Sequence, residues 1–185
     1  MTVLEGVRIN GTLLNTGPFH WTPLHSAAAH GNADVARQLI DSGANPAAVA
    51  PRGQTALHLA ALRGDVDLVE LLLDHGVDVD YCDESSLSAV QLALQSSNLN
   101  VAQRLLQAGA NLDVNRRSSG QTLLHTAADK GNVLVVDFVI RNGADLQARD
   151  VNGLTALHRA ASSGHVDVVD RLITAGADVN SGASV

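Results

Sequence analysis

One four-residue phrase returns along this chain too regularly for chance. It reads Thr22-Pro-Leu-His25, Thr55-Ala-Leu-His58, Thr122-Leu-Leu-His125 and Thr155-Ala-Leu-His158, with a degraded copy, Ser88-Ala-Val-Gln91, in the gap. A small pair follows each: Ala27-Ala28, Ala60-Ala61, Ala93-Leu94, Ala127-Ala128 and Ala160-Ala161. Gly43, Gly76, Gly109, Gly143 and Gly176 mark the same interval, at spacings of 33, 33, 34 and 33, the extra residue lying between Gly109 and Thr122. A period of this length is one supersecondary unit that cannot bury its own apolar face, so the chain must fold by stacking such units.

Each period predicts two short helices and a hairpin. Thr22, Thr55, Ser88, Thr122 and Thr155 stand where a hydroxyl caps the first helix, and Pro23 takes a first-turn position that has no amide to lose. A link at Gly31, Gly64, Ser97, Gly131 or Gly164 leads to a second helix with apolar residues at helical spacing, as in Val35, Leu39, Ile40 and Val69, Leu72, Leu73. The later glycine turns the chain out with positive φ. Segments such as Val77-Asp78-Val79-Asp80 then alternate like a short extended arm. Helices this short do not stand alone in water, so their order comes from burial against the next pair.

The composition agrees with close layers. The 185 residues are 45% apolar yet 2% aromatic, the rings being Phe19, Trp21, Tyr81 and Phe138. Alanine at the inner-helix contacts lets neighbours approach, and rings there would pry them apart. So few rings exclude an aromatic cofactor cleft and a base-stacking platform, and a formal charge of −7 repels a phosphate backbone. The single cysteine, Cys82, cannot close an internal disulfide. Glu5 and Arg8 interrupt the only apolar stretch near the start, and no run approaches the ~20 apolar residues of a membrane span. A cytoplasmic or nuclear protein is expected.

The motif Gly-x-Thr-Ala-Leu-His-x-Ala-Ala-x-x-Gly-(His/Asp)-Val-Asp-x-Val stands nearly intact at Gly53–Val69 and Gly153–Val169. It resembles the ankyrin repeat family, and five copies cover about Gly17 to Asn180. The fold this implies is an all-α solenoid of stacked helix-turn-helix pairs with projecting β-hairpin loops. The expected divisions are a partial repeat or capping segment over 1–16, then repeats at 17–49, 50–82, 83–116 (the degenerate one), 117–149 and 150–185. Gly6-Val-Arg-Ile-Asn10 looks like Gly76-Val-Asp-Val-Asp80, so the chain reads as starting inside a repeat. No dedicated polar cap closes the fifth. The chain is therefore expected as a monomer or as part of a longer array. Repeat three, with Ser86 and Ser97 for glycine and Gln91 for histidine, is either a drifted copy or a local soft spot.

Eight histidines invite a metal or acid–base reading. His25, His58, His125 and His158 hold one slot in successive repeats, whose helices lie roughly 8–10 Å apart, whereas zinc ligands sit about 2 Å from one metal. These four cannot converge. The resemblance implies instead that they hydrogen-bond hairpin backbone and tie repeats together. His20, His30, His75 and His165 show no ligand spacing, and neither a nucleophile elbow nor a phosphate-binding loop is present. The expectation is a non-enzyme without catalytic residues, cofactor or metal.

Binding is expected at the projecting side, where the resemblance places partner contacts on hairpin tips and the concave face of the inner helices. Candidates are Phe19, Trp21 and Tyr81, together with Arg52 near a tip, Arg63 and Lys130 at inner-helix ends, and Arg116-Arg117 in the lengthened hairpin. Aromatic and arginine side chains are the commonest anchors. Phe19 and Trp21 equally fit a plug over the open end of repeat one. Phe138 alone falls on a second-helix core position. Residues 65–84 hold eight acids and no Lys or Arg; this reads as a solvated face or as a patch steering a basic partner. The run from Leu172 to Asp178-Val179-Asn180 is similar to the pattern hydroxylated at asparagine in animal members of the family, which makes Asn180 a candidate modification site. The expected function is a protein-interaction module or scaffold, as inhibitor or adaptor, for a protein partner rather than nucleic acid or membrane. The alternative is a recruiting domain of a larger enzyme.

Overall fold

The computed structural model describes residues 21–112 and 119–183. Its chain forms two units, Met1–Ala110 and Asn111–Val185. The first contains α1 (Pro23–His30), α2 (Ala33–Asp41), α3 (Ala56–Arg63), α4 (Val66–Asp74), α5 (Ala89–Gln95) and α6 (Leu99–Gln107). The second contains α7 (Leu123–Asp129), α8 (Val133–Arg141), α9 (Ala156–Ser162) and α10 (Val166–Thr174). Phe19, His20, Arg116 and Arg117 lie outside the described residues. None of the described helices is long and apolar enough to cross a membrane.

The hydroxyl–histidine phrase starts each inner helix. Thr22 is extended (φ −84°, ψ 164°) and its hydroxyl accepts from the His25 amide; Thr122 and His125 repeat the arrangement. Gly31 and Gly64 end α1 and α3 in the left-handed region, at φ 72° and 85°, where a side chain is strained. In repeat three Ser97 holds that turn at φ 58°, and Ser86 holds the hairpin turn that Gly53 and Gly153 make elsewhere, also at φ 58°.

Within the first unit α1, α3 and α5 pack in succession as an inner row, and α2, α4 and α6 form the outer row; in the second unit α7 packs on α9 and α8 on α10. Alanines seal the inner contacts, with Ala28, Ala60, Ala61 and Ala93 at 0% exposure. Leu24, Leu57, Leu68, Leu72 and Leu105 fill the space between rows. Each such leucine contributes roughly 2–3 kcal/mol by burial. Phe138, placed on the core from sequence, is only half-buried on α8, where Val135, Val136 and Val139 hold the interior.

The hairpins carry no β-strand among the described residues. Two isolated antiparallel bridges, Val49 with Thr55 and Cys82 with Ser88, are all the pairing present there. Carboxylates organise the turns instead. Asp83 Oδ1 accepts from the amides of Ser85 (2.8 Å) and Leu87 (2.9 Å), and Asp150 Oδ1 from those of Asn152 (2.8 Å) and Leu154 (3.0 Å). Neighbouring tips are joined by single bonds, Glu84 N–H to the Arg52 carbonyl at 2.9 Å and Val151 N–H to the Ser119 carbonyl at 3.1 Å.

Candidate interaction surface

Four histidines sit at the third position of the inner helices, directly under the capping hydroxyl. In each, Nδ1 accepts from the threonine amide at 3.2 Å and meets the threonine hydroxyl at 2.8–2.9 Å: Thr22–His25, Thr55–His58, Thr122–His125 and Thr155–His158. An Nδ1 that accepts an amide proton leaves the ring proton on Nε2. That N–H donates to the next hairpin, from His25 to the Ala48 carbonyl (3.1 Å), His58 to Leu87 (3.0 Å) and His125 to Leu154 (2.9 Å). Burial lowers the pKa of all three rings, the hairpin carbonyls pulling the other way. In repeat three Gln91 Oε1 takes the Ser88 amide at 2.9 Å, completing a capping box in which the buried Ser88 hydroxyl faces the Gln91 backbone amide without a close hydrogen bond among the described residues.

The other described histidines also serve backbone. His30 and His75 Nδ1 each bond a carbonyl one turn back, at 2.8 Å, and His165 Nε2 bonds the Asp129 carbonyl at 3.0 Å. Among the described residues no three of His, Cys, Asp and Glu gather as a metal site would require.

Two exposed rings sit against the histidine row of the first unit. Trp21, 49% exposed, lies with its ring centre 5.7 Å from that of His25 and donates from Nε1 to Ser26 Oγ at 2.9 Å. Tyr81, 38% exposed, meets His58 edge-on at 6.1 Å. Each ring thus rests on an imidazole already held by three polar partners. Arg52 is exposed at a hairpin tip with φ 67°, so the structure brings Trp21, Arg52 and Tyr81 to the hairpin end of this unit.

Arg63 lies at the other end of α3, about 12 Å away along an eight-residue helix. Its guanidinium crosses Gly31, where a Cβ would collide with Nε, and Nη1 donates to the Ala29 carbonyl at 3.3 Å. The sequence gives the reason. The slot after the link is Asn98 or His165 in two other repeats, and these donate to the preceding inner helix; Asn98 Nδ2 reaches the Ala61 (3.0 Å) and Leu62 (2.9 Å) carbonyls. Repeat two has Asp65 there, which only accepts and caps α4 through the Leu68 amide, so the donor comes from Arg63. In the second unit Lys130 caps α7 and is exposed, and Asn180 lies exposed beyond α10, its amide bonded to Asp178 Oδ1 at 2.9 Å.

Leu62 was not singled out in the sequence, yet it is 46% exposed beside Arg63. The signal was available: the same slot holds Ala29, Gln95, Asp129 and Ser162 in the other repeats. Several charges turn out to be engaged internally. Glu70 pairs with Arg104 at 3.0 Å, Arg149 ties Gly153, Ser181 and Gly182, and Arg159 pairs with buried Asp150. In the acidic stretch Asp65, Glu70, Asp78 and Asp83 have local structural partners.

The family model for ankyrin repeats, in three copies, matches residues 24–118 and 90–183. A search of curated proteins finds no match to the chain.

Proposed function

The chain belongs to the ankyrin repeat family, whose repeats generally mediate protein–protein interaction, and on that premise we propose that its first unit captures a partner protein through the hairpin end of the inner helices. The observation that carries this reading is the pair of exposed rings, Trp21 and Tyr81, seated on His25 and His58. Buried hydrogen bonds fix the imidazoles before any partner arrives, so the rings above them lose little freedom on binding. Arg52 stands at the same end, and Leu62 with Arg63 offers a second contact on the partner-facing side of α3. Phe19, Arg116, Arg117 and Lys130 are proposed as further partner-binding residues, each in its own unit, and Asn180 as open to hydroxylation. Used alone in the cytoplasm or nucleus, such a module acts as an inhibitor or adaptor; joined to a catalytic domain, it recruits substrate.

Affinity capture from native extract, with the wild-type chain and Trp21→Ala and Tyr81→Ala variants in parallel, tests the proposal. A specific protein retained by the wild type and lost by both variants, at unchanged melting temperature, is the expected result. Loss of stability without loss of capture would identify Trp21 as a plug rather than an anchor.

A further inference from the structure

Outer helices in this chain share one pattern, and α8 departs from it on the side that faces away from the core. The second residue of the outer helix is Asp34, Asp67, Asn100 or Asp167 in four repeats, all exposed, but in α8 it is Leu134, at 64% exposure. The sixth is Gln38, Arg104 or Arg171 in three repeats and buried Leu71 in α4, but half-buried Phe138 in α8. Leu134, Phe138 and Arg141 stand at i, i+4 and i+7, so they share the face of α8 that lies opposite buried Val135, Val136 and Val139. A lone exposed leucine is ordinary. Here two polar slots, one turn apart on one face, have both become apolar.

The charges around this ridge are unequal at its two ends. At the C-terminal end Arg141 and Arg171 both approach Asp137 Oδ2, at 3.9 Å and 3.6 Å, with their side chains 78% and 57% exposed. One carboxylate oxygen shared by two guanidinium groups leaves positive charge in excess, and most of their N–H donors face water. At the N-terminal end the neighbour is Asp167, exposed on α10 four residues before Arg171. An apolar stripe thus runs from an acidic end to a basic one.

We propose that this outer ridge of the second unit docks an acidic amphipathic helix of a partner protein, one with apolar residues at i and i+4 and a carboxylate one turn further on. The spacing suits a helix. Leu134 to Arg141 spans about 10.5 Å along α8, which is the distance from i to i+7 on a helix laid beside it, and the side-chain rows of two such helices interleave. Charge fixes which end goes where. The partner's carboxylate belongs over Arg141 and Arg171, and Asp167 repels it from the other end. Asp137 and Asp167 beside the ridge, with a formal charge of −7 on the chain, oppose an anionic bilayer in the same place. The ridge uses none of the residues of the capture surface in the first unit, so the two contacts stand or fall separately.

Fluorescence anisotropy with two labelled helical peptides of about 18 residues, titrated with the 185-residue chain, tests the proposal. One peptide carries a leucine stripe flanked by glutamates; the other has lysines in place of the glutamates. The glutamate peptide is expected to bind at micromolar concentration, and the lysine peptide at least tenfold more weakly. Leu134→Asp installs the residue that α2, α4 and α10 already hold in this slot, so the fold tolerates it, and it is expected to weaken binding at least tenfold. Arg141→Glu is expected to weaken it about tenfold, an effect that shrinks in about 0.5 M salt. Unchanged circular dichroism verifies that both variants fold, and Trp21→Ala leaves the affinity unchanged. Absence of binding by the glutamate peptide, binding that survives Leu134→Asp, or equal binding of the lysine peptide overturns the proposal. Leu134-dependent adsorption to phosphatidylserine vesicles overturns it in favour of a membrane, and a Leu134-dependent dimer in sedimentation velocity overturns it in favour of a second copy.

Discussion

His58 Nε2 reaches across 3.0 Å to the carbonyl of Leu87, twenty-nine residues away, while its Nδ1 is held by Thr55. One ring thereby caps its own helix and fastens the following hairpin. Replacement by leucine leaves the Leu87 carbonyl and the Thr55 amide unmet in a buried place, at a cost of about 1–3 kcal/mol for each stranded group. His58→Gln is expected to cost less than His58→Leu, because Gln91 shows that a glutamine oxygen accepts the capping amide in this slot. Urea midpoints of the two variants check the order.

Acid is expected to loosen the locks before it touches most carboxylates. Burial lowers the pKa of His25, His58 and His125 below 6.5, the value of the unfolded chain. The unfolded state therefore binds protons first, so the neutral rings' contribution is complete above pH 6.5 and is lost as pH falls through the folded values. Asp83 beside His58 and Asp150 beside His125 oppose the shift, and Arg159 adds to it at His125. Stability measured by urea unfolding is expected to be flat from pH 8 to about 7 and to decline from about 6 downward. A flat profile to pH 5 would show that the rings are charged without penalty.

Ser86→Gly and Ser97→Gly are expected to stabilise the first unit. Both serines hold φ 58°, a region that costs a side-chain-bearing residue roughly 1–2 kcal/mol, against the 0.5–1 kcal/mol of extra chain entropy that glycine loses. The net gain is about 0.5–1 kcal/mol apiece, read as a higher thermal midpoint. Gly53→Ala is expected to act in the opposite direction, since at φ 73° its Cβ would lie 2.9 Å from the Glu84 amide nitrogen.

The pair of buried Asp150 and half-buried Arg159 is expected to respond asymmetrically. Burial alone would raise the Asp150 pKa, but the Arg159 hydrogen bond and the Leu154 and Asn152 amides outweigh it and hold the carboxyl below its usual value. Asp150→Ala removes the acceptor for two turn amides and strands the guanidinium, which costs about 3–5 kcal/mol. Arg159→Leu is milder, because Leu92 occupies the same slot opposite Asp83 and that turn still forms. Thermal melts of both variants decide.

Much of the fold is already written in the repeat period. The threonine–histidine phrase marked each inner helix start to the residue, and Gly31, Gly64 and Gly43 marked the turns. The row of alanines announced layers in close contact. The hairpins read from alternation at Val77–Asp80 prove to rest on Asp83 and Asp150 side chains and single bridges, since the arms are too short for a ladder. Phe138 read as core because its spacing is helical, but spacing does not distinguish the centre of an apolar stripe from its edge.

By itself, then, the sequence determined the repeat, its caps and the register of every helix, because these depend on backbone preferences within a few residues. Only the tertiary structure decided which charges remain available. Arg104, Arg149 and Arg159 are engaged by groups 34, 33 and 9 residues away, Arg63 substitutes for a donor that Asp65 cannot be, and Trp21 and Tyr81 settle on imidazoles while keeping their outer faces open. Those outcomes depend on how far a long side chain reaches across the gap between stacked pairs and on what the neighbouring repeat offers there. That is a property of the contact, which no single repeat carries in its own residues.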